Sequence, residues 1–310
     1  MDWALADFSG YLAADELYDG PFCLLSIVDQ QTFKRLFFQV LDHTPAQADI
    51  IAFFSRFQAH LTARQLTVKG VTTDGSPLYP EAIQAVFPGV PHQICVFHLL
   101  KDLNTSVLRA VAQVRQQLTA QKPKLKRGRP TAAQRPLVRK RQRLQQKISD
   151  LFEFRYLFVQ HHLSATERTT LQRITRGLPQ LRILRTLVDE IYRLFDRRCR
   201  TATALAKLGR LRARVQRFKR VRQVLKTLFS ANVEKALTFL DERLLGATSN
   251  AVERGNRRYR KMQKTVYRVR TQAHIVARVA LDLFREAALD PTRGTLKQLH
   301  QQRAAAPAGP

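Results

Sequence analysis

Two aspartates in the N-terminal third stand at the ends of apolar, strand-like runs: Asp15 in LAADELYDG and Asp74 in GVTTDGSPLYP. The end of a strand is where an α/β sheet presents side chains to a ligand. Two such carboxylates on neighbouring strands could hold Mg²⁺, which prefers a few carboxylate oxygens together with water and phosphate oxygens. The alternative is an ordinary turn at Asp74-Gly75, because Asp-Gly is a common turn dipeptide.

A third carboxylate, Glu253, is the single acidic residue between Arg243 and Leu281. Two local roles would explain a glutamate here: the third residue of a helix capped by Asn250, or an i,i+4 partner of Arg257, worth roughly a few tenths of a kcal/mol. Neither role requires the surrounding cations, whereas a phosphate backbone running past the site does. The basic residues around Glu253 include Arg254, Arg257, Arg258, Arg260, Lys261 and Lys264.

The net charge of the 310-residue chain is +29, and it is unevenly distributed. Residues 1–100 hold five basic and ten acidic residues, so the positive excess lies after residue 100. Such an excess indicates a polyanionic partner, since each phosphate contact gains free energy from counterion release. Three scattered cysteines predict neither a disulfide framework nor a Cys-rich zinc site, which fits a reducing cytosol. The sequence shows no signal peptide and no apolar run of about 18 residues, so we expect no membrane span.

The first hundred residues have the pattern of a mixed sheet with covering helices. Three short apolar runs, GYLAADEL, PFCLLSIVD and FKRLFFQVL, are separated by turn residues and predict an antiparallel meander. Thr44 and Pro45 then predict the N-cap and first residue of a helix. LTVKGVTTDG predicts a strand, YPEAIQAVFPG a helix and PHQICVFHLL a fifth strand. The order βββαβαβ is typical of the α/β class.

The pattern after His98 is helical almost throughout. Ser164 and Glu167 form a capping-box sequence, and Gly177 followed by Pro179 predicts the end of one helix and the start of another. Apolar residues recur every three or four positions from Leu205 to Leu228 and predict one continuous helix. Residues 300–310 are expected to be a disordered tail.

Three segments together resemble the DDE transposases of bacterial insertion sequences, most closely those with a long helical insertion, related to the Mutator-like and hAT groups. LAADELYDGPFCLLSIVD is similar to the strand with the first Asp, and GVTTDGSPLYPEAIQAVFPGVPHQICVFHLLKDL to the second Asp with its Cys-x-x-His element. TSNAVERGNRRYRKMQ is similar to the helix that carries the Glu. The resemblance implies a discontinuous RNase H-like core at 9–120 and 246–290, interrupted by a basic helical insertion at 121–245.

Carried over to this chain, the resemblance makes Asp15, Asp74 and Glu253 a catalytic triad that binds two divalent ions, Mg²⁺ or Mn²⁺. It implies that a water frees a 3′-hydroxyl, which then attacks target DNA. The implied partners are double-stranded DNA, as transposon ends and target, and a second copy of the chain, with no membrane and no small-molecule substrate. The implied location is the bacterial cytoplasm, in association with the nucleoid.

Two further motifs each allow two interpretations. The resemblance places Cys95 and His98 near the active site, whereas the alternative is a buried cysteine and a core histidine. A zinc site would require a second Cys/His pair at suitable spacing, and the sequence offers none. KLKRGRPTA resembles an AT-hook that would insert Arg127 and Arg129 into an A·T minor groove, and the alternative is a basic, solvated linker.

One departure from the family concerns the N-terminus, where only 14 residues precede Asp15. We expect either that the insertion and C-terminal helices recognise the transposon ends or that the chain is a truncated copy. Two other functions compete with the transposase. The first is a non-catalytic DNA-binding protein derived from one, whose carboxylates would fail to converge. The second is a tyrosine recombinase using Tyr259 or Tyr267, although His274 and Arg278 are one residue too far apart for its active-site pair.

Overall fold

The computed structural model describes residues 2–125, 131–264 and 270–288. The chain divides into two compact units, one drawn from Met1–Phe97 with Asp241–Pro310 and the other from His98–Leu240. The predicted domain boundaries, 9–120 with 246–290 and 121–245, stay a prediction. The predicted tail at 300–310 lies outside the described residues.

The first unit contains a five-stranded mixed sheet with the order β3-β2-β1-β4-β5. Its strands are β1 (Tyr11–Asp19), β2 (Phe22–Asp29), β3 (Arg35–Leu41), β4 (Gly70–Thr73) and β5 (His92–Ile94). The first three form an antiparallel meander, and β4 and β5 run parallel to β1. The prediction of a mixed α/β sheet is therefore confirmed.

The helices of the described residues flank the sheet in the first unit and make up the second unit. In chain order they are α1 (Asp2–Leu5), α2 (Gln47–Thr62), α3 (Tyr79–Val86), α4 (Val96–Ala120), α5 (Arg135–Glu153), α6 (Ala165–Ile174), α7 (Pro179–Leu194), α8 (Thr201–Gln216), α9 (Lys219–Val224), α10 (Ala231–Lys235), α11 (Asn250–Gln263) and α12 (Gln272–Ala288). Among the described residues, no helix combines the length and the apolar character needed to cross a membrane.

The two faces of the sheet are covered by different helices because side chains alternate along β1. Leu12 and Ala14 pack into a cluster with the phenylalanines of α2 and with Tyr79 of α3. Leu17 belongs to a second cluster, with Tyr259 of α11 and residues of α12. The sheet is thus buried on both sides, and α11 lies on the face opposite to α2 and α3.

Helix α2 begins at Gln47 with Ala46 as its N-cap, so the predicted start at Thr44-Pro45 is wrong by two residues. The carboxylate of Asp49 accepts a hydrogen bond of 2.8 Å from the Ala46 backbone N–H. An acidic side chain in the first turn also interacts favourably with the helix dipole. Asp49 therefore stabilises the helix start, a role that the sequence pattern assigned to Thr44.

The second unit is helical, and two of its predicted boundaries are confirmed. Ser164 Oγ accepts a hydrogen bond from the Glu167 N–H at 3.2 Å, and Glu167 Oε2 accepts one from the Ser164 N–H at 2.7 Å. Gly177 adopts a positive φ of 75° after α6, and Pro179 opens α7. The core of this unit includes the buried face of α7, with Leu187 and Val188 both fully buried.

The helix predicted from Leu205 to Leu228 is interrupted, so that prediction is wrong. Helix α8 ends at Gln216, and Phe218 has the non-helical angles φ −117° and ψ 87° before α9 begins. Arg212 of α8 donates hydrogen bonds to the Leu228 carbonyl at 2.7 Å and to Glu234 at 2.6 Å. These contacts place Leu228 and Glu234 beside α8. A continuous helix would carry both residues away from Arg212.

Candidate metal centre

The carboxyl-terminal end of β4 lies beside the middle of β1 and brings two predicted site residues together. Asp15 is the fifth of the nine residues of β1, so the prediction that it stands at a strand end is wrong. The parallel register pairs Ala13 with Thr72. Asp15 and Asp74 each lie two residues after this pair and are therefore level with each other. Asp74 Oδ1 also accepts a hydrogen bond of 2.8 Å from the Ser76 N–H, and Gly75 adopts a φ of 99°. The Asp74-Gly75 turn predicted as the alternative is therefore present, and it holds the Asp74 carboxylate at the strand end.

A cluster of three half-buried carboxylates forms at this edge: Asp15, Glu16 and Asp74 each offer an oxygen within 4.8 Å of the others. Glu16 was missed by the sequence reasoning. The adjacent letters Asp15-Glu16 were the available signal, but neighbouring residues of a strand point to opposite faces, so adjacency alone does not predict a shared metal ion. Its position is set by Tyr79 of α3, whose hydroxyl donates a hydrogen bond to Glu16 Oε2.

The electrostatics of the cluster favour a bound cation. Burial raises the pKa of Glu16, the hydrogen bond from Tyr79 lowers it, and the charge of Asp74 raises it again. Three carboxylates so close to one another repel, and a divalent ion would relieve both the repulsion and the desolvation. The donor set consists of hard oxygen atoms, which fits Mg²⁺ or Mn²⁺.

The chain that leads into α11 is attached to the ends of β4 and β5. Thr72 Oγ1 donates to the Gly246 carbonyl at 3.1 Å, and the Val96 N–H donates to the Ala247 carbonyl at 2.9 Å. The Ser249 N–H donates to Cys95 Sγ at 3.3 Å. Cys95 is buried and immediately follows β5, so its sulfur helps to position the start of α11.

Helix α11 lies along β1 through three polar contacts on one of its faces. Asn256 Nδ2 donates to Asp15 Oδ2 at 2.7 Å. The Tyr259 hydroxyl and Gln263 Nε2 donate to Asp19 Oδ2 at 2.9 Å and 2.6 Å. Positions 256, 259 and 263 share a face because residues three or four apart are neighbours on a helix. The sequence reasoning missed Asn256, and this helical spacing was the available signal.

Glu253 lies one turn before Asn256, at the fourth residue of α11. Because Ser249 is the N-cap, Glu253 is not the third helical residue, and the capping-box alternative is wrong. The predicted pair with Arg257 is present at 3.9 Å, with both side chains accessible to solvent. Such a pair contributes about 0–1 kcal/mol. Among the described residues, the 4.8 Å cluster contains Asp15, Glu16 and Asp74, and Glu253 is outside it.

The opposite flank of α11 approaches β3. A Cβ atom added to Gly255 would lie 3.0 Å from Arg35 Nη2. The Arg35 side chain is buried, and its Nη1 lies 3.9 Å from Asp282 Oδ2 of α12. Glycine at position 255 therefore permits the close approach of the helix to this buried guanidinium.

The remaining predicted site residues differ in their surroundings. Six cations of α11 and its end are exposed: Arg254, Arg257, Arg258, Arg260, Lys261 and Lys264. Arg254 stacks over the ring of Phe33 at 4.8 Å.

The hydrogen bond from buried Tyr259 to Asp19 suits a structural role better than that of a nucleophile. His98 is half-buried near the start of α4, in the second unit, while Arg127, Arg129 and Tyr267 lie outside the described residues.

Among known families, a family model described as transposase, the ISL3-type DDE group, matches residues 26–279 of the chain. The matched span includes Asp74 and Glu253 and begins after β1, which carries Asp15 and Glu16. No curated protein matches the chain.

Proposed function

We propose that this chain, which belongs to the ISL3-type DDE transposase family, cuts DNA strands at transposon ends and transfers them to target DNA in a metal-dependent reaction. The observation that supports this most directly is the convergence of Asp15, in the middle of β1, and Asp74, directly after the end of the adjacent parallel strand β4. An RNase H-like core is part of the proposal. It is supported by the strand order β3-β2-β1-β4-β5, with α11 lying over β1.

Asp15, Asp74 and Glu253 are the proposed metal-binding and catalytic carboxylates. Glu253 and Gly255 are separated by about 200° around the helix, so they occupy opposite flanks. Gly255 approaches Arg35 of β3, and β3 and β4 lie on opposite sides of β1 in the sheet. The flank with Glu253 is therefore turned towards the β4 side, where Asp74 lies.

Two bound divalent ions would stabilise the attacking and leaving oxygens of an in-line displacement at phosphorus. The protein's own groups hold the site. Asn256 fixes the orientation of Asp15, and Tyr79 fixes that of Glu16. The exposed cations of α11 would bind DNA phosphates beside the carboxylates, which orients the strand without reading its sequence. Double-stranded DNA and a second copy of the chain are the proposed partners.

One observation favours a second candidate, a non-catalytic DNA-binding protein derived from a transposase. Glu253 is accessible, pairs with Arg257 and lies outside the 4.8 Å carboxylate cluster of the described residues. If α11 kept this position on DNA, the third ligand of a shared metal pair would be lacking. This candidate binds DNA through the same cations but leaves it uncut.

The test is nicking of supercoiled plasmid DNA that carries the ends of the element, in Mg²⁺ or Mn²⁺. Wild-type protein should nick the plasmid, and Asp74→Asn and Glu253→Gln should each lower the rate by at least about a hundredfold. Asp7→Asn is the matched control. Asp7 is an exposed aspartate of the same unit, paired with Lys34, and its replacement should leave the rate unchanged.

The variants separate the two candidates and the two possible third ligands. DNA binding that weakens steeply with salt but gives no metal-dependent nicking would favour the non-catalytic protein. Nicking that survives Glu253→Gln but is lost in Glu16→Gln would assign the third ligand to Glu16. Nicking that survives Asp74→Asn would refute the proposed site.

A further inference from the structure

The second unit contains a concave, basic cavity that the proposed reaction does not use. Its volume is about 880 Å³, within the range typical of ligand sites. The cavity is lined by α6 and α7, by the residues that precede α6 and those that follow α7, and by Leu100 of α4. The lining residues that matter for binding are three rings, His161, His162 and Tyr192, and two exposed arginines, Arg168 and Arg193.

The lining carries five arginines and two aspartates. Asp189 accepts a hydrogen bond from Arg185 at 2.6 Å, and Asp196 lies 3.9 Å from Arg198. Both carboxylates are therefore already partnered by a cation. Arg168 and Arg193 are exposed at the cavity, and neither forms an ion pair with a described residue. The cavity thus presents a positive charge suited to an anionic ligand.

Arg185 gives an independent indication of a ligand. It is 5% exposed, and its guanidinium donates to the Phe158 carbonyl at 3.2 Å and to Asp189. Its Nε is buried and has no hydrogen-bond acceptor among the described residues. A buried donor without an acceptor is costly, especially on a charged group. An anion bound in the cavity would offset part of that cost.

A stack of three rings forms one wall of the cavity. The His161 and His162 ring centroids are 4.0 Å apart at 35°, and those of His161 and Tyr192 are 4.6 Å apart at 32°. The Tyr192 hydroxyl donates to the Val159 carbonyl at 2.7 Å, which fixes the inner end of the stack. Burial and the neighbouring His162 lower the pKa of His161, which favours its neutral form. His162 is exposed and offers its ring to a further planar group.

We infer that this cavity binds one nucleotide of an unpaired DNA strand, with the base stacked on the His162 end of the ring stack and the phosphate held by Arg168 and Arg193. Aromatic rings beside arginines are the usual combination for single strands, because every base has a stacking face and every linkage a charge. A duplex keeps its bases paired, so it engages the arginines without the rings. The site requires neither the metal centre nor strand cleavage.

The test measures binding of a fluorescent ten-nucleotide oligothymidine and of a duplex of equal length, by anisotropy in EDTA at pH 7.5. His162→Ala removes the ring that would stack on the base and should weaken single-strand binding roughly tenfold while changing duplex binding less than twofold. The double variant Arg168→Gln/Arg193→Gln should weaken single-strand binding more than Arg139→Gln/Arg143→Gln does. The latter removes the same charge from exposed positions of α5. Because EDTA removes divalent ions, failure of the proposed cleavage activity cannot affect the result.

Two further measurements test whether the ligand is a nucleotide or free phosphate and where on the chain it binds. Thymidine monophosphate should compete with the oligonucleotide at lower concentration than inorganic phosphate does. An oligonucleotide carrying 5-iodouracil should cross-link on irradiation to the peptide with His161 and His162. Equal losses in the cavity variants and the α5 variant, equal competition by inorganic phosphate, or cross-linking confined to other peptides would each overturn the inference.

Discussion

Replacing Asn256 by alanine removes the hydrogen bond of 2.7 Å that the amide donates to Asp15 Oδ2. Asn256 is 2% exposed, so a water molecule could replace the lost amide only by entering the buried interface between α11 and β1. We predict that the variant binds Mn²⁺ more weakly and nicks DNA more slowly, because Asp15 loses the contact that orients it as a ligand. In this role Asn256 positions a carboxylate and does not itself touch the substrate.

The expected size follows from the type of bond. A hydrogen bond to a charged group contributes about 1.5–3 kcal/mol, so the free energy of unfolding should fall by roughly that amount. Loss of a group that orients a metal ligand typically lowers metal affinity or activity by about 10–100-fold. Both effects are expected together in Asn256→Ala.

Gln263→Ala is the matched control on the same helix. Its amide donates to Asp19 at 2.6 Å, again from α11 to a carboxylate of β1. Asp19 lies outside the cluster of Asp15, Glu16 and Asp74, so this variant should lose similar stability and keep its metal affinity. Urea unfolding measures the first quantity, and calorimetric titration with Mn²⁺ together with plasmid nicking measures the second.

The comparison separates positioning from simple loss of packing. If both variants lose metal affinity in proportion to stability, Asn256 has a structural role alone and the reasoning is refuted. Unchanged Mn²⁺ affinity in Asn256→Ala would equally contradict it. A selective loss in Asn256→Ala would support Asp15 as a metal ligand through evidence that does not depend on mutating the carboxylate.

Three further predictions test the packing. Burial, reinforced by the charges of Glu16 and Asp15, raises the pKa of Cys23 to about 12. At pH 8 iodoacetamide should therefore label Cys23 roughly a thousandfold more slowly than a free thiol. Mass spectrometry of native and denatured protein measures the labelling, and rapid labelling of the native protein would contradict this prediction. Leu187→Ala, at a fully buried position, should lower the free energy of unfolding by about 2–5 kcal/mol, while Leu205→Ala, at a position 38% exposed, should change it little. Urea unfolding measures both, and equal losses would contradict this difference in burial. Gly255→Ala should lower the free energy of unfolding by about 1–3 kcal/mol because the added Cβ meets Arg35. Gly209→Ala, at a position of α8 with open space around it, should raise that free energy by about 0.5–1 kcal/mol. Calorimetry measures both melting temperatures, and a higher value for Gly255→Ala than for Gly209→Ala would refute the close approach.

Much of the fold could be predicted from local patterns. Short apolar runs bounded by turn residues predicted the positions of the strands, because both signals depend on residues within a few positions of one another. The fifth run, PHQICVFHLL, was wrong beyond Ile94, since α4 begins at Val96. The capping box at Ser164 and the boundary at Gly177-Pro179 are likewise local and were correct. The break at Phe218 could not be predicted, since the apolar spacing continues across it and Arg212 makes the decisive contacts with residues well beyond.

The sequence by itself determined the types of residue available to this protein: acidic groups in or directly after strand-like runs and a strongly basic C-terminal two-thirds. Only the tertiary structure decided which of them meet. Glu16 joins the cluster because Tyr79 of α3 holds it there, and Asn256 reaches Asp15 across 241 residues of sequence. Such contacts depend on the packing of α3 and α11 on opposite faces of one sheet. The free energy of that packing comes from the whole core, so no local pattern could reveal it.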